Sequence, residues 1–493
     1  MLTIRARRVI MVSMLRAYAS LLLASSVAFA VACSSASTAP AAGGNSAPLE
    51  DAAAPPPAPP VEDAGPTAAV TYHEHVEAIV QTRCQSCHRE GGTAPFALDT
   101  YAQAKARGPL LVDATQNRRM PPWGAAPTST CAPKHTFKGD LRMSDAEIAT
   151  LADWVTLGMV EGDPSKAPAK PTFASDAITD GTHTLTIPRY TVAPSTRDDM
   201  RCFVLDPHLT EDTWFDATSV VAGNSKVVHH ALVFLDPSGA SRAKGGTTGN
   251  YSCFGGPGFN NVSLLTAWAP GVPPTRYGAD VGVKVPAGAL LVMQMHYHPA
   301  ETAQDDATSF VLRRRTTAPS YAALVRLIGN FQNAPILQPG PNDATATPTF
   351  KIPAGVKDHT ETMEFTMPAT LPELPLANMG THMHWLGTNM TVEVTRETER
   401  GGQPLHECLV ATPHYDFNWQ RGYSYDEPID KLPTLVGGDK IRLRCTYDNT
   451  MGNPKLVRAL QDQRLASPID VTLGEETLDE MCLGAFTFLT PVF

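Results

Sequence analysis

From about residue 180 onward the chain breaks into short runs of β-branched and aromatic residues separated by Gly, Pro, Asp and Asn, a rhythm that predicts β-strands joined by turns. The 43 prolines among 493 residues suit such a loop-rich, β-rich region, since proline is tolerated at turns and edges but not inside sheets. Three of the runs carry closely spaced histidines: "VVHHALVF" at 227–234, "LVMQMHYHPA" at 291–300 and "GTHMHWLG" at 380–387. Side chains alternate along a strand, so His382 and His384 leave one face together, near enough to share a metal ion. His229 and His230 are adjacent, and a flat strand sends one of them into the core, where an imidazole needs a hydrogen-bond partner or a metal. Spacing alone pairs His296 with His298.

The first third reads differently. "RCQSCHRE" holds Cys84, Cys87 and His88 in the C-x-x-C-H pattern of covalent c-type heme attachment. Two thiols one turn apart reach the porphyrin vinyl groups, and the following imidazole turns onto the iron. Tyr72, Val76, Ile79 and Val80 recur at helical spacing before the motif. Further on, "SDAEIATLADWVTLG" opens with a capping box, Ser144 with Glu147, and stops at Gly158. Between these helices "RRMPPWG" offers Met120 as the sixth iron ligand, with His135 and Met143 as alternatives; a His/Met pair raises the potential. The arrangement resembles a small cytochrome c over residues 70–162.

The N-terminus has Arg5, Arg7, Arg8 and Arg16, then the apolar "LLLASSVAFAVA" and Cys33, a pattern too short to span a bilayer and suited to a signal peptide over 1–32. "AVAC" resembles a bacterial lipobox, which implies lipidation of Cys33; ordinary secretion with a free Cys33 is the alternative. Residues 33–69, rich in Ala, Pro, Ser and Gly, cannot bury a core and read as a tether to the membrane. The chain carries a formal charge of −10, more negative once the leader's arginines are removed, so nucleic acid is excluded as a partner.

The order H-H, H-Y-H-P, H-x-H and then "LDEMCLGA" near the C-terminus, together with "RCTYDNTMGNP", resembles the copper type II ascorbate-dependent monooxygenases over roughly residues 185–493. That family includes dopamine beta-monooxygenase and peptidylglycine alpha-hydroxylating monooxygenase. The resemblance implies one copper on His229, His230 and His296, a second on His382, His384 and Met481, and a structural or supporting place for His298. It thereby implies that His229 and His230 serve one ion from a site at the edge of the sheet, with suitable ring rotation. It also implies disulfides Cys202–Cys253 and Cys445–Cys482. Cys131 and Cys408 are left without an expected partner and read as buried free thiols.

The expected fold is therefore multidomain: a small all-α cytochrome c-like domain, a 163–184 linker, and two all-β sandwich, jelly-roll-like copper domains over 185–320 and 321–493. The expected function is hydroxylation of a C–H bond in a small organic substrate with O2. Two copper ions and one c-type heme are its cofactors, and ascorbate or a redox partner protein is the external reductant. An exported heme/copper electron-transfer or copper-binding protein without oxygenase activity is the alternative. The three-imidazole copper is the storage site in the resembling family, and so the expected acceptor of heme electrons. "HYDFNWQRGYSY", His414 to Tyr425, reads mainly as core packing and otherwise as a wall of the substrate cleft.

Overall fold

A computed structural model describes residues 70–493 apart from 174–176, 196–197, 255, 260–262, 271, 299, 331–335, 342, 344–346, 477 and 493. The signal segment, Cys33 and the tether lie outside the described residues. Contacts divide the chain between Gly65 and Pro66, and the unit Pro66–Phe493 holds everything described below. Among the described residues no helix is long and apolar enough to cross a membrane.

A π-turn, Tyr72–Val76, runs into helix α1, Glu77–Arg83, followed by α2, Tyr101–Gln116, and α3, Asp145–Thr156. Both longer helices open on capping boxes, Thr100 with Gln103 and Ser144 with Glu147, each satisfying donors that the first turn leaves without partners. After α3 the chain turns at Gly158, whose φ of +92° favours glycine. Ile148, Leu151 and Trp154 of α3 pack with Tyr72, Val76 and Val80 in a small apolar core.

The rest is mainly β-structure, with short helices at Ser241–Gly245 and Pro454–Asp462. A 15-stranded sheet includes, side by side, the strands Ser263–Trp268, Val228–Asp236, Leu290–Tyr297 and Asp199–Leu205. A 5-stranded sheet built around Lys440–Tyr447, His359–Thr366 and Gly387–Thr395 covers the C-terminal part. Phe203, Phe215, Met293 and Phe310 centre one core, and Met363, Met390, Leu443 and Phe486 the other.

The expected succession of an all-α domain and two separate sandwiches does not form. Most of the regular secondary structure among the described residues is β, and the helices belong to the same compact unit as the sheets. The α2–α3 connection is the reason. Ala125 and Phe137 are buried in the C-terminal β core, and the backbone N–H of Ala126 and of Lys138 donate to the carbonyls of Ala411 (2.9 Å) and Ser424 (2.8 Å). This connection leaves the helices and enters the β body, so they close no domain of their own. The β halves are also joined. Strand Tyr321–Gly329 pairs antiparallel with Leu483–Pro491 along its length, and also meets Ser263–Trp268 and Val281–Val285 of the preceding half.

Candidate metal centres

The adjacent histidines meet on one side because of a β-bulge. In the ladder between Val228–Asp236 and Leu290–Tyr297, His296 pairs with His230, and the next residue, Tyr297, pairs with Val228. His229 is the extra residue, and a bulge re-aims such a side chain. The expectation of a sheet-edge site is thereby corrected: this strand lies between two others, and an irregularity in its pairing supplies the freedom that an edge would have given.

The three rings converge. Nδ1 of His229 lies 3.2 Å from that of His230 and 3.4 Å from that of His296, and His230 and His296 are 3.3 Å apart. Burial, followed by the neighbouring imidazoles, holds His229 and His230 well below the usual histidine range, so both rings are neutral with lone pairs to offer. Three imidazole nitrogens brought to one point fit a cation, and all three ligand atoms lie within 4.8 Å of one another. Asp198 stands behind them, with one oxygen 3.4 Å from Nε2 of His296 and the other 3.3 Å from Nδ1 of His298. A carboxylate on the far nitrogen is the usual means of fixing a metal-binding histidine. The ring of His298 lies beside that of His229, centroids 4.0 Å apart and planes tilted by 38°, and with Asp198 and His296 it forms a second group of ligand atoms close enough to hold a cation.

The second set lies on the strand Leu374–His382 and its continuation. His382 and His384 have ring centroids 5.3 Å apart, while Met383 between them is fully buried, as strand alternation requires. Burial lowers His382 to about 4 and His384 to about 3. Nδ1 of His382 is 2.7 Å from the side-chain oxygen of Gln420, and Nδ1 of His384 is 2.9 Å from the backbone carbonyl of Asp479. The ladder to Leu483–Pro491 ends at the pair His382–Leu483, and Met481, just before it, lines the same cavity as His382 and His384. Glu480, fully buried, accepts the backbone N–H of His384 (2.8 Å), Leu386 (2.7 Å) and Met481 (3.1 Å), tying the H-x-H turn to the methionine. Burial pushes this carboxyl up to about 8 against the pull of those donors.

Both sets border one cavity of about 2060 Å³. Phe417 stands between them, with its ring centroid 5.2 Å from His229 and 5.6 Å from His384. The aromatic stretch thus does both things expected of it: Tyr415, Tyr423 and Tyr425 are buried in the core, while Phe417, Gln420 and Arg421 wall the cavity. Asp198, Gln420 and Glu480 were not among the residues expected from sequence. Glu480 alone had a local signal, an acidic residue directly before Met481 in an otherwise strand-like run.

At the heme motif, Cys84 caps α1 and both Cys84 and Cys87 are unpaired thiols. Nδ1 of His88 lies 3.0 Å from the carbonyl of Phe96, which leaves Nε2 as the ligand-bearing nitrogen. Two free thiols and an imidazole oriented by a backbone carbonyl fit covalent heme. Met120 is half-buried after α2. Of the alternative ligands, Met143 is packed into the helical core, and His135 is held between Glu407 (3.4 Å) and Glu427 (3.5 Å).

Three disulfides form among the described residues. Cys202–Cys253 and Cys445–Cys482 agree with the pairs expected. Cys131 and Cys408 are not free thiols: they bond to each other across 277 residues of sequence, linking the α2–α3 connection to the β body. Their partnership is a product of the tertiary approach of these segments.

No family model and no curated protein matches the chain. Among solved structures it is similar to the major capsid protein P2 of bacteriophage PM2, at 8% identity and a TM-score of 0.25 over 63% of this chain and 97% of that one. It is also similar to a peptide-N(4)-(N-acetyl-beta-D-glucosaminyl) asparagine amidase, at 11% identity and a TM-score of 0.14 over 60% and 97% of the two chains. At these scores neither bears on fold or activity.

Proposed function

We propose that this protein is an exported, lipid-anchored copper monooxygenase that hydroxylates a C–H bond of a small organic molecule with O2. His229, His230 and His296 hold one copper, and His382, His384 and Met481 hold the other. The observation that carries this reading is that His230 and His296, from the three converging Nδ1 atoms, and the pair His382 and His384 with Met481 line a single cavity. When bound, the coppers supply redox chemistry: the imidazole set cycles between Cu(I) and Cu(II), and the thioether favours Cu(I), the state that meets O2. The chain's own residues orient and shield. Asp198 fixes His296, Gln420 fixes His382, and Phe417 and Trp385, 4.7 Å apart, form an apolar wall that limits water. Cys84, Cys87 and His88 would hold a covalent heme, with Met120 as a further candidate ligand, and the group would supply one-electron transfer from ascorbate or a redox protein.

The test is copper titration followed by O2 consumption and mass spectrometry of products with candidate amines, peptides and aromatics. Met481→Ala is expected to keep the three-imidazole copper, seen by electron paramagnetic resonance, and to abolish hydroxylation. Full activity in that variant makes Met481 a packing residue and removes the second copper site.

A further inference from the structure

His298 belongs to neither copper set, yet the fold brings it to a group of ligand atoms of its own. Strands Asp199–Leu205 and Leu290–Tyr297 run antiparallel with Tyr297 opposite Asp199, so Asp198 and His298 leave the ladder together at one end. The backbone N–H of His298 donates to the carbonyl of Val227 (2.8 Å), which holds the chain to the strand's path for one residue more. His296 and His298 therefore share a face, while Tyr297 between them is fully buried. One oxygen of Asp198 lies 3.3 Å from Nδ1 of His298 and the other 3.4 Å from Nε2 of His296, and the ligand atoms of the three residues lie within 4.8 Å of one another. His296 is 7% exposed, and its buried Nε2 makes no hydrogen bond among the described residues, so the contact with Asp198 is close without being aligned. Two donors that approach without pointing at each other suit a cation shared between them. Nδ1 of the same ring is turned to the other side, 3.4 Å from Nδ1 of His229 and 3.3 Å from that of His230.

We propose that Asp198, His296 and His298 hold a zinc ion beside the three-imidazole copper, with His296 bridging the two metals through its opposite nitrogens. The zinc site rests on the copper reading above for its neighbour and adds a third metal to it. One carboxylate oxygen and two imidazole nitrogens, with no thiolate or thioether, suit zinc, which takes three protein ligands and a water where a site is left open. The side chain of His298 is 39% exposed against 8% for His296, and all three residues border the cavity, so an ion can enter and a water can complete the set. On binding, the zinc gains bonds to the three side chains, Nε2 of His296 releases its proton to solvent, and no electron moves. The ion fixes the His296 ring, and its charge opposes further positive charge next door, so it favours Cu(I) over Cu(II) in the three-imidazole set.

The experiment uses the full chain, loaded with copper and freed of the excess, and titrates it with Zn2+. Metal per chain is measured by mass spectrometry after desalting. One zinc is expected beside two coppers, with the electron paramagnetic resonance signal of the three-imidazole Cu(II) shifted but not lost. His298→Ala is expected to keep both coppers and to weaken zinc by about 100-fold or more, since a lost ligand costs more than the roughly 10–100-fold lost with a supporting partner. Asp198→Asn, which keeps the side chain's shape and removes its charge, is expected to weaken zinc likewise. With Co2+ in place of Zn2+, a visible absorption band is expected in the parent and not in His298→Ala. A parent that holds two coppers and no zinc overturns the site. So does zinc that displaces copper one for one, or zinc held equally well by His298→Ala. A parent that binds no copper but holds one zinc, lost in His298→Ala, fails the copper reading and keeps the zinc site, so the two failures are told apart by metal content.

Discussion

Replacing Cys131 and Cys408 together by Ala removes the covalent tie between the α2–α3 connection and the β body. The bond closes 277 residues of chain, and on the chain-entropy estimate such a loop is worth about 5 kcal/mol, with measured disulfides more often near 2–4. The non-covalent seam survives the change. Ala125 and Phe137 remain in the C-terminal core, the Phe137–Tyr425 bridge remains, and so do the backbone bonds of Ala126 and Lys138. The variant is therefore expected to fold, with the connection docked, and to melt a few degrees lower by calorimetry, as a loss of roughly 2–5 kcal/mol implies for a body of this size. Limited proteolysis is expected to cut the connection faster, because local opening no longer pulls against a covalent stop. A melting point and a cleavage rate both equal to the parent's would refute the view that this bond restrains the helices against the sheets.

Arg396→Met is expected to lower stability by about 3–5 kcal/mol in denaturant unfolding, since it leaves buried Glu407 without the guanidinium 2.7 Å away. A loss under about 1 kcal/mol would mean that the pair is dispensable. His135, whose folded pKa is held above 6.5 chiefly by the Glu407 carboxylate, adds stability that is complete below that value and fades as pH rises through the raised one. His135→Gln should flatten the fall in melting temperature from about pH 6 upward, and an unaltered pH profile would count against it. Asp198→Ala is expected to weaken copper binding at the three-imidazole site by roughly 10–100-fold in competition titrations while leaving the H-x-H site unaffected, and equal affinity would deny Asp198 its orienting place.

What sequence reveals here is local. The H-x-H pair is legible because strand period alone puts His382 and His384 on one face, and the capping box of α3 because its two partners sit three residues apart. The bulge at His229 is not legible, since it depends on which partner strand lies alongside and in which register. The same holds for Cys131–Cys408 and for Gln420 against His382: each joins segments that only the folded chain brings together. The separate helical domain was expected because helical periodicity and the heme motif are both short-range signals. The path of the α2–α3 connection into a distant core has no such signature.

The strand Tyr321–Gly329 is where the two β halves meet. It is hydrogen-bonded all along Leu483–Pro491, which also pairs with the His382 strand, and it touches strands of the preceding half. A joint between two bodies swings where few bonds cross it, and this strand reaches the preceding half through Val325 with Leu264, Tyr321 with Val281 and Ala322 with Gly282. The long ladder to Leu483–Pro491 stiffens the half that carries His382, while the seam to the other histidine set is narrow. The ring of Phe417, which faces both sets, stands where a change in their spacing would be felt first.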